Sequence, residues 1–290
     1  MERLTNPKVI KKYMGLNDFF FKKNLGQNFL INSEVTDDIV ASLELGEGEA
    51  VLEIGPGIGA LTQLLVSEAK KTVAIEIDPH AIKMLNNIFL GCENLEIIQK
   101  DVLKSDISTI IKEHFEEGQT VSCVSNLPYY ITSPVLMKLL EERHPFKYIV
   151  VMMQKEVAER LDAKVGTKNY SAFTIAVDYY AEIEYMFTVK NNSFMPAPKV
   201  DSAVLRLTPR KTPPINILDE ETFFKTVKSG FAMRRKTLQN CISAGFSIGK
   251  DVVAQMLEEC EIPINARIET LPMKTIGLLS DCIYKYINNK

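Results

Sequence analysis

The chain has 290 residues, enough for one large domain with an appendage or for two modest domains, and enough to bury a full core. Its net charge of -3 argues against a protein that coats nucleic acid, because such binding draws on lysine and arginine neutralising phosphates. Five cysteines, odd in number and without a Cys-x-x-Cys pair, indicate neither a disulfide framework nor a zinc site.

The amino-terminal stretch MERLTNPKVIKKYMG lacks the apolar core of a signal peptide. No later segment approaches the roughly 20 apolar residues of a membrane span. A soluble, cytoplasmic protein is expected. Residues 1–21 read as a basic extension: over the first 30 positions Arg3, Lys8, Lys11, Lys12, Lys22 and Lys23 face only Glu2 and Asp18. A second basic cluster, Lys225, Lys228, Arg234, Arg235 and Lys236, contains no acid. Two local basic patches on an acidic body follow, with a solvated face as the alternative for each.

From Ala50 onward, short β-branched runs alternate with amphipathic stretches: AVLEIG then IGALTQLLVSEA, TVAIEID then PHAIKMLNNIFL, LEIIQKD then SDISTIIKEHF, TVSCVSN then TSPVLMKLLEE, and YIVVMMQ then KEVAERL. Five successive βα units predict a mostly parallel sheet covered on both faces, with ligands at the carboxyl ends of its strands. SAFTIAVDYY reads as one more helix, and EIEYMFTV with SAVLRLTP as two late antiparallel strands, giving seven strands. An α/β domain over 22–208 would then end at a proline-rich linker, 209–216, followed by a small helical domain over 217–290.

The loop VLEIGPGIGALT places Gly55, Gly57 and Gly59 where the backbone must turn tightly and let a ligand approach. Gly55, Gly57 and Ala60 also fit G-x-G-x-x-A, which by itself does not choose between NAD and S-adenosylmethionine. Glu76 ends the second predicted strand about 20 residues on, where a carboxylate can accept both hydroxyls of a ribose. Asp101 ends the third and can accept from an adenine amino group; an ordinary helix cap is the alternative. A dehydrogenase needs a hydride-transfer site, and His80, His114 and His144 fall in helical segments away from the strand ends.

SNLPYY closes the fourth predicted strand, beside the place where the sheet order should reverse. The amino group of adenine is a poor nucleophile, because its lone pair is delocalised into the ring. Two acceptors, the side-chain oxygen of Asn126 and the backbone carbonyl of Leu127 or Pro128, can each take one amino hydrogen and aim the nitrogen at a methyl carbon. Placement of reacting atoms about 3 to 3.5 Å apart carries the rate, so a neutral amide suffices. Tyr129 can stack on the purine, worth roughly 1 to 3 kcal/mol, against the cost of flipping the base out. A turn with packed tyrosines is the alternative.

KKNLGQNFL, VLEIGPGIGALT, VAIEID, QKDV, NLPYYITSP, MMQKEVAERL, FMPAPKVDSAVLRL and FAMRRKTLQN occur in that order. Together they resemble the ribosomal RNA adenine N6-dimethyltransferases, nearest the branch that dimethylates two adjacent adenosines in a hairpin near the 3′ end of 16S rRNA in the small subunit. The resemblance implies an α/β, Rossmann-like S-adenosylmethionine-dependent methyltransferase fold with a small carboxyl-terminal all-α domain that helps dock on the subunit. It implies S-adenosylmethionine bound by Asn28, Leu30, Gly55, Gly57, Glu76, Asp101 and Asn126, and no metal. Phe194 becomes a second aromatic wall opposite Tyr129, on a loop that Pro196 and Pro198 hold exposed. Lys22, Lys23, Lys199, Arg234, Arg235 and Lys236 are candidates for RNA phosphate contacts, and a monomer is expected. Tyr130 stands where Asn is also common and has no role beyond packing. Competing readings are a 23S rRNA dimethyltransferase of the macrolide-resistance type, disfavoured by Leu127 where that branch usually has Ile, and a factor whose main task is ribosome assembly.

Overall fold

The protein is described by a computed structural model covering residues 2–16, 28–233 and 235–288. It divides into two compact units, Met1–Ala158 with Ala181–Pro209, and Glu159–Tyr180 with Arg210–Lys290. No helix among the described residues is long and apolar enough to cross a membrane.

The strands of the first unit are β1 (Phe29–Leu30), β2 (Ala50–Ile54), β3 (Lys71–Glu76), β4 (Leu95–Gln99), β5 (Val121–Ser125), β6 (Phe146–Gln154), β7 (Ala181–Val189), β8 (Phe194–Met195) and β9 (Ser202–Pro209). Seven of them form one sheet in the order β4-β3-β2-β5-β6-β9-β7. The first five run parallel, and β9 runs antiparallel to both neighbours, as the late strands predicted. Every residue of β2 and β5 is buried, as expected of central strands covered on both faces; besides apolar residues they bury Glu53, Ser122 and Ser125. Order reverses between them: β3 lies on one side of β2 and β5 on the other. Ile54 pairs with both Ile75 and Ser125, so the loops leaving β2, β3 and β5 emerge level with one another.

Three of the helices between these strands start where a polar side chain caps them. Asn32 accepts from the Glu34 N–H ahead of α2 (Ser33–Ala41), following α1 (Pro7–Leu16). After α3 (Thr62–Glu68), Asp78 caps α4 (Pro79–Ile88), whose Pro79 occupies the first turn, where its missing N–H costs nothing. Asp106 caps α5 (Ile107–His114), and α6 (Tyr129–Glu141) follows. This last helix begins three residues before its expected start, so Tyr129 and Tyr130 occupy its first turn rather than a free turn.

Of the expected extension 1–21, the described residues 2–16 are built into the first unit and are not an extension outside it. Leu4, Val9, Ile10 and Met14 are buried with Met84, Leu85 and Phe89, because α1 carries its apolar residues on one face. Gln63 pins the segment by accepting from the Leu4 N–H and donating to the Glu2 carbonyl, both at 2.9 Å.

The second unit departs from a single cut near Pro209. After α7 (Lys155–Leu161), which spans the junction, α8 (Ala172–Tyr180) packs with α9 (Glu220–Ala232), α10 (Leu238–Phe246), α11 (Lys250–Glu259) and α12 (Met273–Asn288). The reason is apolar: Tyr170, Ile175 and Tyr179 are buried among Phe223, Val227 and Ile242, and the Tyr180 and Phe224 rings stack at 5.5 Å. Residues 210–219 carry no helix or strand, yet they are tied into this unit. Tyr180 accepts from the Arg210 N–H at 2.8 Å, Asp281 accepts from the Leu218 N–H at 2.8 Å, and Ile215 and Ile217 pack on the helical core.

Candidate active site

At the carboxyl ends of the parallel strands a cavity of about 250 Å³ opens, lined from β1, from the loops after β2, β3, β4 and β5, and from β8. It brings together Asn28, Leu30, Gly55, Gly57, Glu76, Asp101, Asn126, Leu127, Pro128, Tyr129 and Phe194. Lys199 is exposed on the loop after β8, and Arg235 and Lys236 are exposed in the turn after α9 of the second unit; the cavity includes none of them. Lys22, Lys23 and Arg234 lie outside the described residues.

Two glycines of the β2 loop account for its shape. Gly55 and Gly57 have φ of +74° and +57°, which L side chains rarely adopt. A Cβ on Gly55 would lie 2.6 Å from Leu127 Cδ2, and one on Gly57 would lie 3.2 Å from the Phe29 ring. The bare backbone therefore lets the β5 loop and β1 close around the cavity.

Glu76 holds that loop from the side. Its Oε1 accepts from the Ile77 and Asp78 N–H groups at 2.8 and 2.9 Å, and its Oε2 from the Gly57 N–H at 3.2 Å. Burial raises its pKa above the ordinary carboxylate value, with those three N–H groups pulling the other way. Asp101 does cap a short turn, accepting from the Leu103 N–H at 3.0 Å, and its Oδ2 lies 3.7 Å from Lys104 Nζ. The cap and the cavity wall are one side chain.

After β5 the arrangement is different. Among the described residues no hydrogen bond engages the Asn126 side chain. The Pro128 carbonyl accepts from the Ile131 N–H at 3.1 Å and from Thr132 Oγ1 at 3.2 Å, because Pro128 opens α6 and its carbonyl enters the helical ladder. Among the described residues the Leu127 carbonyl meets only Thr132 Oγ1, at 3.4 Å. Of the two carbonyls the sequence leaves open, Leu127 therefore keeps the greater capacity to accept. The Tyr129 hydroxyl is 2.7 Å from Ser202 Oγ at the start of β9. Burial, with a contribution from the Asp201 charge, raises the Tyr129 pKa, and the Ser202 contact pulls the other way.

Phe194 corrects an expectation. It is 4 % exposed rather than held out on a proline loop, because β8 pairs with β1 and sets Phe194 opposite Leu30, with Ser193 accepting from the Ile31 N–H at 2.8 Å. The ring belongs to the core around Val150, Met152 and Val204, while still lining the cavity.

Glu53 is a cavity residue that the sequence reading missed. It is 1 % exposed, and its Oε2 accepts from Thr62 Oγ1 at 2.7 Å. Burial pushes its pKa up to about 8, with the neighbouring Glu76 adding to the rise. The signal was an acid inside the apolar run VLEIG. Two of the three histidines have structural partners: His114 Nδ1 lies 2.8 Å from Glu96, and His144 lies 2.7 Å from Glu142 and 3.3 Å from Ser108 Oγ. Among the described residues no group of three or more His, Cys, Asp or Glu is placed to hold a metal.

The parallel sheet with its order reversal, the glycine loop and the acids at successive strand ends define a Rossmann-like methyltransferase. The family described as ribosomal RNA adenine dimethylase matches residues 18–285, and the chain belongs to that family. It is 46 % identical over 286 residues to the ribosomal RNA small subunit methyltransferase A of Bacillus mycoides strain KBAB4, covering 98 % of each chain; the protein of that description from Bacillus cereus strain B4264 matches to the same extent. A crystal structure of a dimethyladenosine transferase from Plasmodium falciparum superposes with a TM-score of 0.73 at 29 % identity, covering 90 % of this chain and 98 % of that one. The 23S rRNA methyltransferase ErmE superposes with a TM-score of 0.64 at 25 % identity, covering 89 % of this chain and all of that one. Membership of the family implies S-adenosylmethionine as the methyl donor.

Proposed function

We propose that this enzyme dimethylates N6 of two adjacent adenosines in the 3′-terminal hairpin of 16S rRNA within the small ribosomal subunit, and acts in the biogenesis of that subunit. The observation that carries the reading is the placement of the free Asn126 amide and the Leu127 carbonyl beside the glycine loop, with Tyr129 and Phe194 in the same cavity. The donor, when bound, supplies an electrophilic sulfonium methyl. Gly55 and Gly57 let its backbone-facing part approach, Glu76 and Asp101 address its nucleoside, and Asn28, Leu30 and Asn126 complete its pocket.

The target adenine enters flipped from its stack. In the first transfer Asn126 Oδ1 and the Leu127 carbonyl each accept one amino hydrogen, which draws the N6 lone pair out of conjugation and holds it in line; in the second, the one remaining N–H of the monomethylated nitrogen is held by one of the two acceptors. Pro128 fixes the direction of the backbone at this point through its own φ. Tyr129 and Phe194 flank the ring; the Ser202 contact keeps Tyr129 from swinging away. Each transfer forms an N–C bond, breaks the S–C bond and releases one proton from the amino group to water. No strong base is needed, in agreement with the absence of a free histidine in the cavity lining.

The small-subunit substrate is favoured over 23S rRNA by the relatives at 46 % identity, named for the small subunit, against 25 % for ErmE. The test uses purified protein, labelled S-adenosylmethionine and unmethylated subunits. N6-dimethylation at two adjacent adenosines of small-subunit RNA is expected, and label confined to large-subunit RNA overturns the substrate assignment.

A further inference from the structure

Three large apolar side chains that line the cavity are also exposed: Leu103 at 40 %, Ile77 at 56 % and Tyr130 at 62 %. Their positions along the sheet separate them. Leu103 follows β4 and Ile77 follows β3, beside Asp101 and Glu76, the end of the cavity that takes the donor's nucleoside. Tyr130 follows β5, on the far side of the glycine loop from both, four residues after Asn126. An apolar surface at the nucleoside end has an occupant in the donor; Tyr130 stands at the other end, where the RNA arrives.

Tyr130 also differs from the tyrosine before it. Successive residues of an α-helix point about 100° apart, and Tyr129 is anchored by its hydroxyl to Ser202. The two rings therefore cannot press on one base from the same side. The Tyr130 hydroxyl makes no hydrogen bond among the described residues, and with 62 % exposure its ring is not core packing, the only role its sequence context suggested. A nucleotide flipped into the cavity leaves its neighbour with an uncovered face, and every base offers a π-face to an aromatic ring.

We propose that Tyr130 is a second base platform at the cavity mouth, stacking on the nucleotide adjacent to the adenosine held by Tyr129. The inference rests on the reading of the cavity as a site for a flipped adenosine. It gives an enzyme acting on two adjacent adenosines a contact to whichever of the pair is outside. Tyr130 is a positioning residue: it contacts RNA but not the reacting atoms.

The experiment is steady-state methylation of unmethylated small subunits by the full chain and its Tyr130 variants, with KM measured separately for RNA and donor. For Tyr130→Ala and Tyr130→Leu the RNA KM is expected to rise about 5- to 140-fold, the range set by base–aromatic stacking, while kcat and the donor KM stay within about 2-fold. Tyr130→Phe and Tyr130→Trp keep the wild-type RNA KM within about 2-fold, because the ring and not the hydroxyl does the stacking. With 2-aminopurine next to the target, wild type quenches its fluorescence and Tyr130→Ala does not. An unchanged RNA KM in the Ala variant, a Phe variant as impaired as Ala, or a donor KM rising in parallel overturns the proposal. Methylation by wild type with no effect of Tyr130→Ala sinks this inference alone. Failure of wild type to methylate adenosine N6 sinks the underlying reading and this inference with it.

Discussion

The two ends of the cavity are built on opposite plans. At the β3 end, the Glu76 carboxylate is pre-tied: three backbone N–H groups converge on it and hold the glycine loop. At the β5 end, Asn126 and the Leu127 carbonyl keep open acceptor capacity, and only Tyr129 is anchored, through Ser202. On the proposed reading, the pre-tied end recognises the donor and the open end presents its acceptors to the substrate. Stability and turnover should therefore respond to substitutions at different places.

The largest effect tests the open end. Asn126→Ala should lower turnover on the order of 10²-fold or more, the cost of removing one pre-oriented hydrogen-bonding group. Subunit affinity and thermal midpoint should stay near wild type, and a large loss of stability would contradict the comparison. Glu53→Gln comes next and probes the floor between the two ends. A carboxyl whose pKa rises from 4.5 unfolded to about 8 folded contributes its full stability below pH 4.5 and loses it as pH rises through 8. The Gln variant and wild type should be equally stable near pH 4.5. The variant should be more stable by on the order of a few kcal/mol at pH 9, read by denaturant unfolding across the range. Equal pH profiles would show that Glu53 is ionised in the folded protein.

Glu76→Gln breaks the pre-tied end, since an amide nitrogen must then face a backbone N–H. A loss of about 1–3 kcal/mol from one buried unsatisfied donor is expected, together with weaker donor binding by calorimetry. Unaltered stability with normal donor affinity would remove the distinction between the ends. The smallest effect belongs to Tyr129→Phe, which deletes the contact to Ser202 but keeps the ring. Stability should fall by about 0.5–1.5 kcal/mol and turnover only a few-fold; a collapse of turnover would show that the hydroxyl acts in the chemistry.

Much of this arrangement was legible in the chain. The five βα units, the late antiparallel pair, the glycine loop and the carboxylates at strand ends are local patterns, set by side-chain periods of 2 and 3.6 and by the freedom of glycine. NLPYY at a strand end was enough to place Asn126 and Tyr129 in the cavity. Other features depend on partners distant in sequence. Phe194 sits on a proline-rich loop by local criteria, and only pairing with Leu30 turns its ring inward. The basic amino-terminal residues looked like an appendage until α1 laid Val9, Ile10 and Met14 on Met84 and Leu85.

By itself the sequence determined the order of elements, the chemistry available at each strand end and the family to which the chain belongs. Those properties are short-range, carried by residue type and spacing. The tertiary structure decided which unit holds α8, which of two carbonyls stays free to accept, that Glu53 is a buried cavity acid, and that Tyr130 faces outward. Burial and hydrogen-bond competition are sums over neighbours that no local window contains.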